Sequence, residues 1–165
     1  MAKESSFDIV SEVDLMEVDN AFQQAQKELS QRYDLKGTGS SIEYSKKDGT
    51  ITISAPSEFV AGQVADIMNS KAAKRGIDLS AIKWQVAVPA AGATVKKCAT
   101  LVQGIDQDTA KRIAKDIRGT KQKVKATVEG DKLRVSSASR DALQATIAYL
   151  REQEYGQPLQ YVNYR

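Results

Sequence analysis

Lysine and arginine fall at alternate positions in two short runs, Lys123-Val124-Lys125 and Lys132-Leu133-Arg134. On an extended strand alternate side chains share a face, so each run presents a pair of cations together. Thr127 and Ser136 continue the alternation with hydroxyls, and Lys96 and Thr100 do the same in TVKKCATLV at 94–102. Cations beside hydroxyls supply the donors that phosphate oxygens accept. The chemistry these residues offer is anion binding. Composition closes most other routes. None of the 165 residues is histidine, which removes imidazole bases, Ser-His and Cys-His dyads and imidazole zinc sites. The single cysteine, Cys98, excludes an internal disulfide and a CxxC pair. No compact acidic motif of the calcium-loop kind is present, so no metal or other cofactor is implied.

These side chains need strands to aim them, and the sequence reads as two copies of one plan. Phe7, Ile9 and Val13 alternate as on a half-buried strand. Asp14 with Glu17 forms a capping box before a helix that buries Leu15, Val18, Phe22, Ala25 and Leu29. Ile42 and Tyr44, a turn at Asp48-Gly49, and Ile51 and Ile53 make a hairpin. Pro56-Ser57 opens a second helix along Val60, Val64, Ile67 and Met68, closed at Gly76. Trp84, Val86 and Val88 give a fourth strand.

The second copy has a strand near 95–102 and a helix from Asp106 burying Ala110, Ile113 and Ile117. A hairpin turning at Gly130-Asp131, a helix capped by Ser139 and a closing strand with Leu159 and Tyr161 complete it. VSEVD at 10–14 matches VQGID at 102–106, and ITIS at 51–54 matches LRVS at 133–136, so one unit is duplicated. Each copy reads βαββαβ, an α+β unit whose antiparallel sheet carries two helices on one face and leaves the other open. VAVPAAGAT at 86–94 reads as a linker, which divides the chain into residues 1–90 and 91–165. Because the first strands match, their exchange between copies fits the periodicity as well as a sequential arrangement does.

Taken sequentially, the first open face holds Asp8, Glu12, Glu43, Thr52 and Ser54. The second holds Lys96, Cys98, Thr100, Lys123, Lys125, Thr127, Lys132, Arg134 and Ser136. Residues 1–90 carry 10 Lys+Arg and 13 Asp+Glu, a net −3, whereas residues 91–165 carry 14 and 8, a net +6. Bound phosphate would offset the repulsion of like charges on neighbouring strands. Three other readings of the basic stripe stand beside that one. Lysines keep a solvated sheet from aggregating, the acidic face of one copy can pair with the basic face of the other, or the stripe meets a protein partner.

No aromatic ring falls on the central open-face positions, so the base stacking of an RNA-recognition motif is missing and binding would be led by phosphate or shape. Gly37-Thr38-Gly39-Ser40-Ser41 lacks Walker and dinucleotide spacing and reads as a loop. Arg32 and Lys36 flank the end of the first helix, where cations favour its dipole. Cys98 reads as a small inert residue, and Tyr149, Tyr155, Tyr161 and Tyr164 read equally as rings that could stack on a base and as packing around the last strand. MAKESSFDIV lacks the apolar core of a signal peptide, and no apolar run reaches a membrane-spanning length of about 18 residues. The expectation is a soluble cytoplasmic protein with no membrane partner.

Several segments resemble the YajQ family of small bacterial proteins. They are SFDIVSEVD (Ser6–Asp14), RYDLKG (Arg32–Gly37, with Leu35 where members usually carry Phe) and KRGID (Lys74–Asp78). LVQGID (Leu101–Asp106), KVKATVEGDKLRVSSASRDALQ (Lys123–Gln144) and GQPLQYVNYR (Gly156–Arg165) extend the match through the whole chain in order. The resemblance implies two tandem ferredoxin-like, RNA-recognition-like domains and a nucleotide-binding role. RNA binding is suggested for the family and cyclic-di-GMP effector activity for some members. No catalytic residue carries over.

Within the matching segments Arg32, Lys36, Lys123, Lys125, Arg134 and Arg140 have the chemistry to hold phosphate. The expected function is non-enzymatic binding of a nucleotide (GTP, ATP or cyclic-di-GMP) or of RNA. Lys96, Lys123, Lys125, Lys132 and Arg134 would contact phosphate, with Thr100, Thr127 and Ser136 adding hydrogen bonds. The alternative is an adaptor or regulator whose charged sheet faces contact a protein partner. An enzyme would need a lysine or carboxylate acid–base pair, and none stands out.

Overall fold

Each helix begins where a short polar side chain takes up N–H groups that a first turn leaves unpaired. Asp14 accepts from Met16 and Glu17 ahead of α1 (Leu15–Gln31), and Ser57 from Val60 ahead of α2 (Glu58–Lys74). Asp106 accepts from Thr109 ahead of α3 (Gln107–Gly119), and Ser139 from Ala142 ahead of α4 (Arg140–Arg151). Only half of the expected capping box forms at α1. The Glu17 carboxylate turns to Arg75, whose Nε donates to it at 2.8 Å. These features come from a computed structural model that describes residues 4–165; Met1, Ala2 and Lys3, the start of the stretch MAKESSFDIV considered as a signal peptide, lie outside it.

The described strands are β1 (Ser5–Val10), β2 (Ser41–Ser45), β3 (Thr50–Ala55), β4 (Ile82–Trp84), β5 (Val88–Ala90), β6 (Thr94–Leu101), β7 (Lys125–Glu129), β8 (Lys132–Ser137) and β9 (Gln160–Val162). They form two antiparallel sheets, ordered β7-β8-β1-β9 and β2-β3-β6-β4, with β5 pairing onto β6. Residues up to Glu12 together with Gln103–Arg165 make one compact unit, termed here the terminal unit. Val13–Val102 make the central unit. Each half of the chain thus lends its first strand to the sheet of the other. With β6 standing first in the central unit and β1 in the terminal unit, both have the βαββαβ pattern, and the fold is two ferredoxin-like α+β domains.

Two further details depart from the sequence pattern. Residues 86–94, read as a linker, carry β5 and a tight turn into β6, a hairpin within the central sheet. Its alanines and Pro89 have little to bury, which makes the stretch look like a break. The fourth strand of that unit is β4, whose Ile82 is buried, while Val86 is exposed.

Each sheet packs its helices over one face. The central core includes Val18, Ile51, Ile53, Val64, Met68 and Ala99, and the terminal core Phe7, Ile9, Ile113, Ile117, Leu133 and Leu150. Phe7 and Ile9 are fully buried in a sheet built mostly from residues beyond 103, and each such burial is worth roughly 1.5–3 kcal/mol. The Phe7 ring meets Tyr161 edge-on, centroids 6.0 Å apart. The chain re-enters the terminal unit through Gly104, whose N–H donates to the Ser11 carbonyl at 2.6 Å. Gly104 has φ +85°, and a Cβ there would sit 2.5 Å from Asp131 Oδ2, so only glycine fits without displacement. Among the described residues no helix is long and apolar enough to cross a membrane.

Candidate functional site

In the terminal unit the strand registers place Lys125, Thr127 and Glu129 of β7 on the open face, beside Ser136, Arg134 and Lys132 of β8. Ser6 and Asp8 of β1 lie opposite Ser136 and Arg134 on that same face. Asp8 is only 1% exposed. Asn163 Nδ2 donates to its carboxylate at 2.8 Å, Arg134 Nε at 3.1 Å and Lys132 Nζ at 3.4 Å. Burial works against the charge on Asp8. The bonds from Asn163, Arg134 and Lys132 outweigh it and hold the carboxyl below its ordinary range. Arg134 also stands 3.8 Å from Glu129. The two central cations of the expected phosphate stripe therefore already have counter-charges. They tie β8 to β1 and to the segment after β9.

A cavity of about 420 Å³ opens beside this lock, lined by Val10, Ser11, Glu12, Gly104, Asp131, Lys132, Val162 and Asn163. Its two carboxylates against one lysine make it a poor phosphate receptor.

The central unit's open face has the opposite character. Strand β6 offers Thr94, Lys96, Cys98 and Thr100, β3 offers Thr50, Thr52 and Ser54, and β2 offers Ser41, Glu43 and Ser45. Lys96 lies opposite Ser54, Cys98 opposite Thr52, and Thr100 between Thr50 and Lys83 of β4. Glu43 supplies the one carboxylate, two strands away from Thr100 and Lys96. The face is a field of hydroxyls with lysines toward its β6 side. No aromatic side chain occupies these positions, so the surface has donors for phosphate oxygens and no stacking platform.

Arg32 and Lys36 lie elsewhere in the central unit, past the end of α1. Arg32 donates from Nε to Asp34 at 2.9 Å and stands 3.9 Å from Glu28, which accounts for it as a helix-terminal contact. Lys36 lines a cavity of about 540 Å³ with Gly37, Gly39, Ser40 and Ser41 at its rim and Leu29, Leu35 and Ile42 behind. The loop is bonded within itself: Thr38 Oγ1 donates to the Leu35 carbonyl at 2.7 Å. Arg140 is the first residue of α4, on the helix layer of the terminal unit, and Lys123 precedes β7, where its carbonyl accepts from Ser137. The late tyrosines serve packing. Tyr161 joins the terminal core, and Tyr155, its phenol pushed up by burial and by Asp116, donates to that carboxylate at 2.7 Å.

The nine expected phosphate-contacting residues thus divide. Lys125, Lys132 and Arg134 share the terminal open face, with Lys123 just before its edge strand. Lys96 and Thr100 belong to the central face instead, because β6 pairs with β3 and β4. Sequence reasoning gave Asp8 to the acidic copy and missed Asn163 altogether. The only hint was that Asp8 is a charged residue between two core residues of a strand. Among the described residues no group of three or more Cys, Asp or Glu side chains is placed to hold a metal.

Comparison with known proteins finds similarity along nearly the whole chain. The family described as nucleotide-binding protein YajQ-like matches residues 5–165. A protein of Desulfitobacterium hafniense named nucleotide-binding protein is 47% identical over 165 residues, covering all of both chains. Equally named proteins of Alkaliphilus oremlandii and Chloroherpeton thalassium are 46% and 43% identical, again over all of both chains. With identity of this degree from end to end, the chain belongs to the YajQ-like family.

Proposed function

We propose that this protein binds nucleotides or RNA through their phosphate groups, as a receptor and not as a catalyst. The carrying observation is the central open face, where Lys96 and Thr100 stand among Ser54, Thr52 and Thr50 with no carboxylate opposite any of the β6 residues. Hydroxyls donate to phosphate oxygens and a lysine adds a point charge, which is the donor set a phosphate needs. The relatives' name, nucleotide-binding protein, supports the ligand class. Lys96 and Thr100 are four residues apart on one strand, a span of about 13 Å, so two phosphate positions fit along β6. GTP, ATP, cyclic-di-GMP and a short RNA all carry more than one phosphate and are the ligands to compare. Without rings on the face, affinity comes from phosphate and base selectivity is low.

Fluorescence titration of labelled cyclic-di-GMP, GTP, ATP and single-stranded RNA across salt concentrations tests the proposal. Log affinity should fall linearly with log salt, by about 0.7 per single-strand phosphate contacted. Lys96→Glu with Thr100→Ala should weaken binding while the circular dichroism stays unchanged. If the folded variant binds as the parent does, or no ligand binds the parent, the central face is not a phosphate site. Loss of a protein partner in pull-downs with the same variant, without any nucleotide binding, would instead favour an adaptor.

A further inference from the structure

The densest run of positive charge in the chain lies mostly outside both open faces. Residues 107–128 hold seven lysines and arginines and two aspartates, a net +5, against +3 for the entire chain. Everything outside this segment is therefore net acidic. Helix α3 supplies four of the cations. Its Ala110, Ile113, Ala114 and Ile117 are buried against the sheet. Lys111, Lys115 and Arg118 recur at i, i+4 and i+7 on the exposed side, a row about 10 Å long at the rise of an α-helix. The helix packs on β7, and the basic series continues through Lys121 and Lys123 toward that strand, whose Lys125 turns to the open face.

Structural roles explain only part of this series. Arg118 lies in the last turn of α3, where the helix dipole favours a cation. Arg112 is used, lying 4.9 Å over the Tyr155 ring and donating to the Glu154 carbonyl. The acidic neighbours are spoken for: Asp116 takes the Tyr155 hydroxyl, and Asp108 sits in the first turn, where the dipole favours it. Among the described residues, Lys111, Lys115, Arg118, Lys121, Lys123 and Lys125 make no ion pair with a carboxylate. Like charges at i and i+4, as at Lys111 and Lys115, cost an isolated helix about 0.2–0.5 kcal/mol. The row is not there to stabilise α3.

We infer that the outer face of α3, with the loop to β7, is a track for the phosphodiester backbone of a nucleic-acid strand. A row of unpaired cations on a helix matches a polyanion whose charges repeat every few ångströms, and it exceeds what one mononucleotide can engage. The inference rests on the proposed phosphate-binding role and adds that a polynucleotide is also held on the helix layer of the terminal unit, a second site apart from the central open face.

The test uses the full chain with Lys111→Gln, Lys115→Gln and Arg118→Gln, which are exposed and leave the core intact. Binding of a mixed-sequence single-stranded RNA and of GTP is followed across salt, with circular dichroism as the fold control. Losing three phosphate contacts should reduce the salt slope for RNA by about 2. With affinities equal near 1 M salt, that slope change corresponds to about a 50-fold weaker affinity near 0.15 M. GTP binding should not change. An unchanged RNA slope in the folded variant overturns the inference. So does a parent chain that fails to bind RNA, or one that binds poly-glutamate of matched charge equally well, since that surface would suit an acidic protein. RNA binding that depends on α3 while neither Lys96→Glu nor GTP has any effect would sink the central-face proposal and leave this one standing.

Discussion

Replacing Asp8 with asparagine keeps the shape of a nearly inaccessible side chain and removes its charge. Three donors converge on the carboxylate, from Asn163 at 2.8 Å, Arg134 at 3.1 Å and Lys132 at 3.4 Å. A hydrogen bond to a charged group contributes roughly 1.5–3 kcal/mol. The Lys132 and Arg134 side chains are themselves 35% and 34% exposed, so water recovers part of what they would lose. The net cost of Asp8→Asn should therefore be about 2 kcal/mol at neutral pH, well short of three full bonds. For a unit of this size that is a fall in Tm of roughly 8–16 °C. Thermal unfolding of parent and variant by near-ultraviolet circular dichroism, from pH 7 down to pH 2, measures it. Asp8 has a folded value below its ordinary 3.8. Its stabilisation is complete above that ordinary value and is lost as the pH falls through the lower, folded one. The gap between the two proteins should hold from pH 7 to pH 5 and close in stronger acid. Equal melting at pH 7, or a gap that persists at pH 2, would refute the charge-pairing argument.

Gly104→Ala should destabilise the terminal unit by about 1–3 kcal/mol, because it combines a positive φ with a Cβ pressed against Asp131; equal denaturant midpoints would show that Asp131 simply swings away. Phe7→Ala should cost about 3–5 kcal/mol and remove amide protection from β8 before β3, since Phe7 packs only in the terminal core; equal losses in both strands would contradict that partition. A fragment of residues 13–102 should fold cooperatively on its own, whereas residues 91–165 should not until a peptide of residues 4–12 is added, as seen by amide dispersion in NMR spectra. A folded 91–165 fragment would mean that β6 can serve its own half.

Local signals made much of this fold legible. Asp14, Ser57, Asp106 and Ser139 cap the helices they precede, because capping needs only a side chain and the next few N–H groups. The hairpins at Asp48-Gly49 and Gly130-Asp131 and the buried partners Ile51, Ile53, Leu133 and Val135 follow from turn chemistry and alternation. The identity of the strand beside β8 was not legible. Phe7 and Ile9 fit an apolar core much as Ala99 and Leu101 do, and pairing between residues more than a hundred positions apart leaves no local mark. The candidate site inherited that ambiguity. Lys96 could not be assigned to a sheet, and Asp8 could not be seen as the counter-ion of Arg134.

One charge nevertheless distinguishes the two pairings once the registers are known. Asp8 stands opposite Arg134 in the terminal sheet, and Cys98 holds the corresponding place opposite Thr52 in the central sheet. Sequential pairing would set Cys98 against Arg134, with Lys132 close by and Lys96 added to the same face. That sheet would have four cations, Lys96, Lys125, Lys132 and Arg134, and no buried acid, while Asp8 would face the hydroxyl of Thr52 with no arginine opposite it. Leaving one member of a buried ion pair unpartnered costs about 3–5 kcal/mol when the site is dry, and less here where the cations reach water. Exchange of the first strands thus gives Lys132 and Arg134 their buried counter-ion and delivers a lysine to the central face. Among the described residues, the same rearrangement that satisfies Asp8 leaves Lys125 as the one strand cation of the terminal face without a carboxylate partner. Lys96 among its hydroxyls and the row along α3 stay open to an anionic ligand.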